Sequence, residues 1–438
     1  MARCAVGLIV VSALALLPSL TSAQSNPRYI QFKPSEVKGA LYLPDAGPAP
    51  KIAFLVVHRT SNFLSHISTR ELSKRGYMVL GLNPRSDNNE ALVNFEQMAL
   101  DVKQGVEFLR KQPGIEKVIL IGHSGGGPTT TFYQAVAEKG PSYCKGVHKL
   151  TECDDSLAGL PKADALVLLD AHPGNTVNTL RGLNAAIKDE SKPFEVDPSL
   201  DPFDPRNGFN PTGHSVYSKE YMDSYFKAQA ERMNRLIAIA TKLRDDMKAG
   251  KHQPSDDDKF VIYRDRARLS DFSMGVAGAT EKPQKHLKNN GSVVTEIVKS
   301  VRPALVQNAK ADKSFRNGSL ALTVKSFLSN NAIKATHSQE GIDWCSSNNS
   351  TPCAVGSISV PMLIAAMSGH YFIRDGEVIH DAAASADKEY IIVEGATHGM
   401  TPCTACEKAT GQSYSNVTKN LFDHVAKWTK ARFENGKI

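Results

Sequence analysis

The stretch Val118-Ile119-Leu120-Ile121-Gly122-His123-Ser124-Gly125-Gly126 decides the fold, because an apolar run leads directly into a Gly-x-Ser-x-Gly pentapeptide. At the end of a buried strand, such a pentapeptide forms a sharp strand-to-helix turn that exposes the serine hydroxyl at the edge of a sheet. Glycines are needed there because bulkier neighbours would clash in so tight a bend. Lys117–Ile121 is typical of a short parallel strand, and Pro128–Ala137 is compatible with a helix. The sequence therefore predicts that Ser124 is a nucleophile.

The first 23 residues have the features of a cleavable export signal. Arg3 gives a positive start, residues 4–17 form an apolar run, and Thr21-Ser22-Ala23 fits a small-residue cleavage site. The run is short for a membrane span, and no stop-transfer pattern follows it. We therefore expect a signal peptide over residues 1–23, cleavage after Ala23, and a secreted or periplasmic protein without a stable membrane anchor.

Charge and acidic residues exclude some classes of partner. The 438-residue chain has a formal net charge of +7, but this charge is not gathered into a basic arm or helix. Nucleic-acid binding needs such a cluster, so we expect no nucleic-acid partner. Asp197, Asp201 and Asp204 lack the loop spacing of a calcium site. We expect neither a metal nor a cofactor, and the oligomeric state stays open.

Cysteine usage agrees with export. Six cysteines remain after the signal, and they lie in three close pairs: Cys144 with Cys153, Cys345 with Cys353, and Cys403 with Cys406. An even count in an oxidising compartment favours disulfides, and local pairing is the simplest of the fifteen connectivities. The Cys403-x-x-Cys406 element is also compatible with a redox motif or half of a zinc site. No second such element completes a zinc site, so we favour a structural bridge.

Strands and helices alternate over the first 170 residues. A hairpin is predicted at Tyr29–Phe32 and Ala40–Leu43, buried strands at Ile52–His58, Tyr77–Leu82, Lys117–Ile121 and Ala165–Asp170, and helices at Leu64–Lys74 and Leu92–Arg110. This alternation predicts an α/β architecture with a mostly parallel, doubly wound sheet.

The alternation stops near residue 172 and resumes at Val360. The interval is rich in Pro, Asn, Asp and Lys, and its predicted helices are Val216–Met247, Val293–Val306 and Leu320–Leu328. The later part has strands at Met362–Met367 and Glu389–Glu394, a helix at Glu377–Ser385, and a final helix after His398. We therefore expect residues 24–171 and 356–438 to form one core. Residues 172–355 would form a mainly helical cap, inserted between the last-but-two and last-but-one strands.

His398 is the candidate base for Ser124. A serine hydroxyl is a poor nucleophile unless a base removes its proton, and the base needs a carboxylate to hold its tautomer. His398 lies in Gly395-Ala396-Thr397-His398-Gly399, just beyond the last predicted strand, where loops face the crevice of such a sheet. His123 lies in the serine turn itself and is predicted to be supportive, whereas His172 and His370 follow strand ends and are candidates to line the pocket.

On these motifs the chain resembles the α/β-hydrolase superfamily. The turn at Ser124, the chain order serine, acid, histidine, and the insertion after Ala165–Asp170 carry the resemblance, which covers the mature chain apart from the insertion. It implies an α/β-hydrolase fold and cleavage of an ester-like bond through an acyl-enzyme. Ser124 would be the nucleophile and His398 the general base and acid.

The acid stays open between three residues. Many members of the superfamily carry it in a Gly-x-x-Asp stretch after the second-to-last strand, but here that stretch is Gly369-His370-Tyr371-Phe372. Asp375 and Glu377 come slightly later, at a predicted helix start where acids also serve as caps. Asp170 closes an otherwise apolar strand, a costly position for a carboxylate without a partner. We favour Asp170.

The oxyanion hole needs two main-chain donors. One is expected from Gly125, directly after the nucleophile, and the other from the loop His58-Arg59-Thr60, at Arg59. The superfamily usually has His-Gly in that loop, so Arg59 departs from the pattern. An arginine side chain there would also be able to bind an anionic part of the substrate, which we state as a hypothesis.

The leading prediction is an exported serine hydrolase that acts on a small-molecule or polymeric carboxylic ester, or on a lactone, under a large lid. A secreted peptidase or amidase of the same fold is the first alternative, and it needs an acidic anchor for the substrate amine. A binding protein that keeps the fold without catalysis is the second. The intact serine and histidine argue against that second alternative.

Overall fold

A computed structural model describes residues 26–276, 278–304 and 316–434, so the predicted signal peptide lies outside the described residues. The strands are β1 Arg28–Gln31, β2 Lys38–Tyr42, β3 Ile52–Val57, β4 Met78–Asn83, β5 Lys117–His123, β6 Ala165–Leu169, β7 Lys259–Tyr263, β8 Gln284–Leu287, β9 Val293–Glu296, β10 Ser319–Thr323, β11 Ala335–His337, β12 Gly341–Ile342, β13 Met362–Met367 and β14 Lys388–Val393. The helices are α1 Ile67–Ser73, α2 Met98–Arg110, α3 Gly126–Lys139, α4 Asn175–Gly182, α5 Lys219–Lys248, α6 Leu269–Phe272, α7 Val324–Ser326, α8 Thr351–Val355, α9 Ile373–Ala382, α10 Thr404–Thr410 and α11 Val417–Phe433. A π-helical turn, Phe327–Asn331, follows α7.

Within these residues, ten strands form one sheet in the order β1-β2-β4-β3-β5-β6-β13-β14-β8-β9. Neighbouring strands pair in parallel along the series β4, β3, β5, β6, β13, β14 and β8. At the two edges of the sheet, β1, β2 and β9 pair antiparallel with their neighbours. The alternating pattern of the sequence therefore predicted the antiparallel entry hairpin and the parallel strands β3 to β6, β13 and β14 correctly, but not β8 and β9.

Both faces of the sheet are covered, which explains why its central strands are apolar throughout. Every residue of β3, β6 and β13 is buried. Residues of α2, α3 and α9 pack on one face, and residues of α1 and α11 pack on the other. Parallel strands buried on two sides are typically continuous apolar runs. Because these strands run in parallel, the polar residues that follow them lie at one edge of the sheet, its carboxyl edge.

The interval 172–355 differs from the predicted helical cap. The long helix α5 is present. The helix predicted at Val293–Val306 was wrong over residues 293–304, which form β9 and irregular backbone, and Leu305 and Val306 lie outside the described residues. The helix predicted at Leu320–Leu328 was wrong at its start, where the chain forms β10. Strand β8 pairs in parallel with β14, and β9 pairs with β8, so this interval extends the central sheet. Such short strands are stabilised by partners far away in sequence, which local periodicity does not reveal. The proposed division into core and cap stays a prediction.

The cross-links agree with the local cysteine pairs that the sequence favoured. The structure has disulfides Cys144–Cys153, Cys345–Cys353 and Cys403–Cys406, the three local pairs. Cys403 and Cys406 are both buried. Across the described ranges, none of the helices has the length and apolar character to span a bilayer.

Candidate active site

Ser124 occupies a strained turn between β5 and α3. Its backbone φ is 55°, a conformation that costs a non-glycine residue on the order of 1 kcal/mol or more. The surroundings hold it there, because its N–H donates to the Leu169 carbonyl at 3.3 Å and its own carbonyl accepts from the N–H of Gly127 at 3.0 Å. The turn also needs Gly126, where a methyl group would lie 2.2 Å from the carbonyl oxygen of Val57.

Asp170 directly follows β6 and contacts His398. The distance between Asp170 Oδ2 and His398 Nδ1 is 2.6 Å, and the other carboxylate oxygen accepts the N–H of Met367 at 3.1 Å. The aspartate is buried, with φ of 42°. The ring of His123, next to Ser124 in the chain, lies 4.6 Å from the ring of His398. The loops after β5, β6 and β14 therefore bring Ser124, Asp170 and His398 to one edge of the sheet.

A second histidine shares the Asp170 carboxylate. His370 Nδ1 lies 2.7 Å from the same Oδ2, and the rings of His370 and His398 stack with their centres 4.4 Å apart. Burial alone would raise the pKa of Asp170, but the imidazoles of His370 and His398 outweigh burial and hold that pKa below its usual range. Burial lowers the pKa of His370 despite the nearby carboxylate. His370 occupies the stretch where the superfamily often carries its acid.

Asp375 and Glu377, the two alternative candidates for the catalytic acid, contact residues other than His398. Asp375 forms an ion pair with Arg181 at 2.8 Å. Glu377 is fully buried, and its carboxylate accepts the N–H groups of Glu281 and Lys282 at 2.8 and 3.0 Å. Glu377 therefore ties α9 to the segment that leads into β8. Neither carboxylate contacts His398 in the described part of the chain.

Replacing Glu377 with glutamine is expected to lower the free energy of unfolding by about 2–4 kcal/mol, because the new amide NH₂ would face main-chain N–H groups. Urea unfolding measures this loss. The matched control is Glu281→Gln, since the Glu281 side chain is largely exposed and contacts Arg374. That control should change stability by less than about 0.5 kcal/mol. Equal stability of the two variants would contradict the anchoring role of Glu377.

A chain of imidazoles supports the loop that carries His398. The Ser68 N–H donates to His66 Nδ1 at 3.3 Å, and His66 Nε2 lies 3.0 Å from His123 Nδ1. His123 Nε2 in turn lies 2.8 Å from the carbonyl oxygen of His398. These contacts fit neutral rings that each carry the proton on Nε2 and accept on Nδ1. The chain fixes the main chain of His398 from the start of α1. The sequence suggested a supportive role for His123, but it gave no signal for His66.

Stability should fall in mild acid partly through His66. Burial, with a smaller effect from His398, lowers the pKa of His66 to about 4. An unfolded histidine titrates near 6.5, so between about pH 6.5 and 4 the unfolded chain binds more protons than the folded chain. The free energy of unfolding should therefore decrease as pH falls through that window, with up to about 1.4 kcal/mol per pH unit from this residue. Urea unfolding of His66→Gln should show a shallower slope, and an unchanged slope would contradict this expectation.

Arg59 places a buried guanidinium beside the serine turn. Only 8% of its side chain is exposed, and Glu90 accepts from Nε at 3.2 Å and from Nη2 at 2.9 Å. The third nitrogen, Nη1, lies 3.5 Å from His172 Nε2. A methyl group on Gly125 would lie 1.9 Å from Arg59 Nη1 and 2.6 Å from His58 Nε2. Glycine is therefore needed at position 125 to leave room for these two side chains.

In the described part of the chain, the two predicted oxyanion donors have N–H groups without a hydrogen-bond partner. Among the described residues, the main-chain N–H groups of Gly125 and Arg59 donate to no protein acceptor. Two hydrogen bonds hold the loop that carries Arg59 in place. The Arg59 carbonyl accepts from the hydroxyl of Ser86 at 2.8 Å, and the Thr60 carbonyl accepts from the N–H of Asn88 at 2.7 Å. The arrangement leaves both donors available for a substrate oxygen.

Potential metal ligands coincide with the proposed catalytic residues. Asp170, His370 and His398 bring three potential ligand atoms within 4.8 Å of one another in the described residues. Ligand atoms around a tetrahedral zinc ion would lie about 3.3 Å apart. The observed separations of 2.6 and 2.7 Å from Asp170 Oδ2 are both shorter than that, and the 2.6 Å contact with His398 is a hydrogen bond. We therefore interpret the set as an acid shared by two imidazoles.

The chain has an α/β-hydrolase fold. Three features define it: the strand order, the strained serine turn after a central parallel strand, and the histidine that contacts a carboxylate at the same edge of the sheet. No protein-family model matches the chain, and no curated protein sequence is significantly similar to it.

Several solved structures are similar to this chain over most of its length. They include a soluble variant of monoglyceride lipase from Saccharomyces cerevisiae, with 13% identity, coverage of 94% of this chain and 98% of that chain, and a TM-score of 0.40. Proline iminopeptidase from Mycobacterium smegmatis has 12% identity, coverage of 92% and 98%, and a TM-score of 0.39. Est1E from Butyrivibrio proteoclasticus has 9% identity, coverage of 94% and 100%, and a TM-score of 0.39. Likenesses this distant carry over no activity, so the chemistry is argued from this chain's own residues.

Proposed function

We propose that this protein is an exported serine hydrolase that cleaves a carboxylic ester or lactone through an acyl-enzyme on Ser124. The observation that carries the proposal is the meeting of two features at one sheet edge. Ser124 is held at φ 55°, and His398 Nδ1 lies 2.6 Å from the buried carboxylate of Asp170. A nucleophile at a strained turn and an oriented imidazole are the two parts that acyl transfer needs. The three disulfides support export, because such bonds persist in oxidising compartments.

The contacts of His398 suggest how the reaction would proceed. With its Nδ1–H donated to Asp170, a neutral His398 carries its lone pair on Nε2. That nitrogen takes the hydroxyl proton as Ser124 Oγ bonds to the substrate carbonyl carbon. The oxyanion is received by the N–H groups of Gly125 and Arg59. His398 then gives the proton to the leaving alcohol oxygen as the ester C–O bond breaks. A water molecule repeats these steps and releases the acid.

Aromatic side chains next to His398 suit a bulky or apolar substrate group. The ring of Phe372 lies 5.7 Å from that of His398 and 5.9 Å from that of His172. The interval 172–355, which begins at His172, would form a lid that supplies the rest of the substrate pocket. Pockets of this kind bind mainly through apolar contact and use a few polar groups for orientation.

A paired substrate panel tests the proposal. Purified mature protein would be assayed with p-nitrophenyl esters of increasing chain length and with matched p-nitroanilides. We expect ester turnover with an initial burst of about one equivalent of nitrophenol, the sign of an accumulating acyl-enzyme. Preference for the anilides would favour the peptidase alternative. Failure of a folded protein to turn over either series would favour a non-catalytic binding protein.

A further inference from the structure

The Arg59 guanidinium has a donor that the protein does not use. Glu90 accepts from Nε and Nη2, and the single acceptor of Nη1 among the described residues is His172 Nε2, at a long 3.5 Å. Nη1 carries two N–H groups, and the second has no acceptor among the described residues. Buried donors are nearly always paired, so an unpaired one beside a catalytic turn points to a ligand. This donor lies where a methyl group on Gly125 would be.

His58 adds a second side-chain donor at the same place. Its Nδ1 accepts the N–H groups of Thr60 and Ser61 at 3.0 and 2.8 Å. Burial keeps the pKa of His58 well below its usual value, with the Arg59 charge acting in the same direction. The ring is therefore neutral and its proton is on Nε2, the atom that would lie 2.6 Å from a methyl group on Gly125. Two side-chain donors thus lie beside Gly125, and the Gly125 N–H has no acceptor among the described residues.

The charge at this spot is positive despite Glu90. The Glu90 side chain is 45% exposed, so water screens its share of the ion pair, whereas the guanidinium is buried. His172 receives one Nη1 donor through Nε2, which leaves its proton on Nδ1, and that atom is buried without a hydrogen-bond partner. The side chains that a methyl group on Gly125 would meet are therefore a cation, Arg59, and the neutral imidazole of His58.

We propose that Arg59 Nη1, the His58 Nε2–H and the Gly125 N–H form an anion site. During turnover it takes the oxyanion, so the oxyanion hole includes a charged side chain as well as main-chain donors. At rest the same site takes a carboxylate, including the acid that the reaction releases. The turnover part rests on the proposed function, but binding of a carboxylate does not require Ser124. Small carboxylates should then compete with substrate.

Direct binding separates this inference from the proposed function. In Ser124→Ala protein, calorimetric titration with sodium butyrate should give a Kd at least tenfold lower than titration with the neutral amide butyramide. Adding Arg59→Met should raise the butyrate Kd at least tenfold. Adding Arg75→Met is the matched control, because Arg75 also pairs with a carboxylate, Asp423, at 2.8 Å but is remote from the serine turn. That control should leave the Kd unchanged.

Two further variants keep the test decisive if Arg59→Met does not fold. Arg59→Lys can still pair with Glu90 but lacks the second planar nitrogen, and Gly125→Ala keeps Arg59 while its methyl group displaces Nη1. Each should weaken butyrate binding at least fivefold. In the active enzyme, Arg59→Lys should lower kcat about 10²-fold with little change in KM. The proposal would be overturned if Arg59→Met, Arg59→Lys and Gly125→Ala all left the butyrate Kd unchanged. It would also be overturned if butyrate and butyramide had equal Kd values. Binding without ester turnover would refute only the proposed function.

Discussion

Replacing Ser124 with alanine is expected to lower kcat for ester hydrolysis by about 10⁵- to 10⁶-fold. The reason is the loss of the only atom that bonds covalently to the substrate in the proposed reaction. His398, Asp170 and the donors at Gly125 would remain, so binding and residual stabilisation of the oxyanion survive. Steady-state assays with the best p-nitrophenyl ester would measure the loss, with the KM changed by much less than the kcat.

Ser124→Gly is an informative partner for that variant. Glycine adopts a φ of 55° at little cost, so this variant should be equally inactive but more stable than Ser124→Ala, by about 1 kcal/mol. Such a result would show that the fold tolerates strain at position 124 for the sake of the hydroxyl. An alanine variant that keeps more than a tenth of the wild-type kcat would contradict the proposed nucleophile.

Replacing Asp170 with asparagine is expected to lower kcat by about 10³- to 10⁴-fold. An asparagine oxygen can still accept the N–H of Met367, which occupies one carboxylate oxygen at 3.1 Å. Its NH₂ group would then face His398 Nδ1 and favour the tautomer with the proton on Nε2, which cannot accept the serine proton. Steady-state kinetics with the best p-nitrophenyl ester would measure the change.

The alternative acids provide the controls. Asp375→Asn and Glu377→Gln should each keep turnover per folded molecule within about threefold of wild type. Asp375 contacts Arg181, and Glu377 contacts main-chain N–H groups, Gln284 and Arg374, so neither carboxylate orients His398. Glu377→Gln would lose stability and Asp170→Asn would lose turnover. The reverse pattern would identify Glu377 as the catalytic acid and contradict our assignment.

Local sequence signals predicted the parts of the site that depend on local structure. The turn at Ser124 needs only a strand, small residues and a helix start, all of which are contiguous in the chain. His398 could be placed because a parallel sheet sends every strand end to one edge. Asp170 stayed one candidate of three, since its contact with His398 joins residues 228 positions apart.

Other features depend on partners that the sequence does not place. Strand β9 has exposed valines and gains its structure from pairing with β8, so a helix was predicted there instead. The contact of Glu90 with Arg59 joins two loops, and no pattern in either loop indicates it. His66 was missed for the same reason, because its role comes from packing against His123.

The most direct test of the central claim is the mapping of a covalent adduct. Mature protein would be treated with a fluorophosphonate, digested and analysed by tandem mass spectrometry. We predict one phosphonate per molecule, on the Ser124 hydroxyl, no adduct in Ser124→Ala, and much slower labelling in Asp170→Asn. Labelling at another residue, or the absence of labelling in protein that hydrolyses esters, would contradict the account.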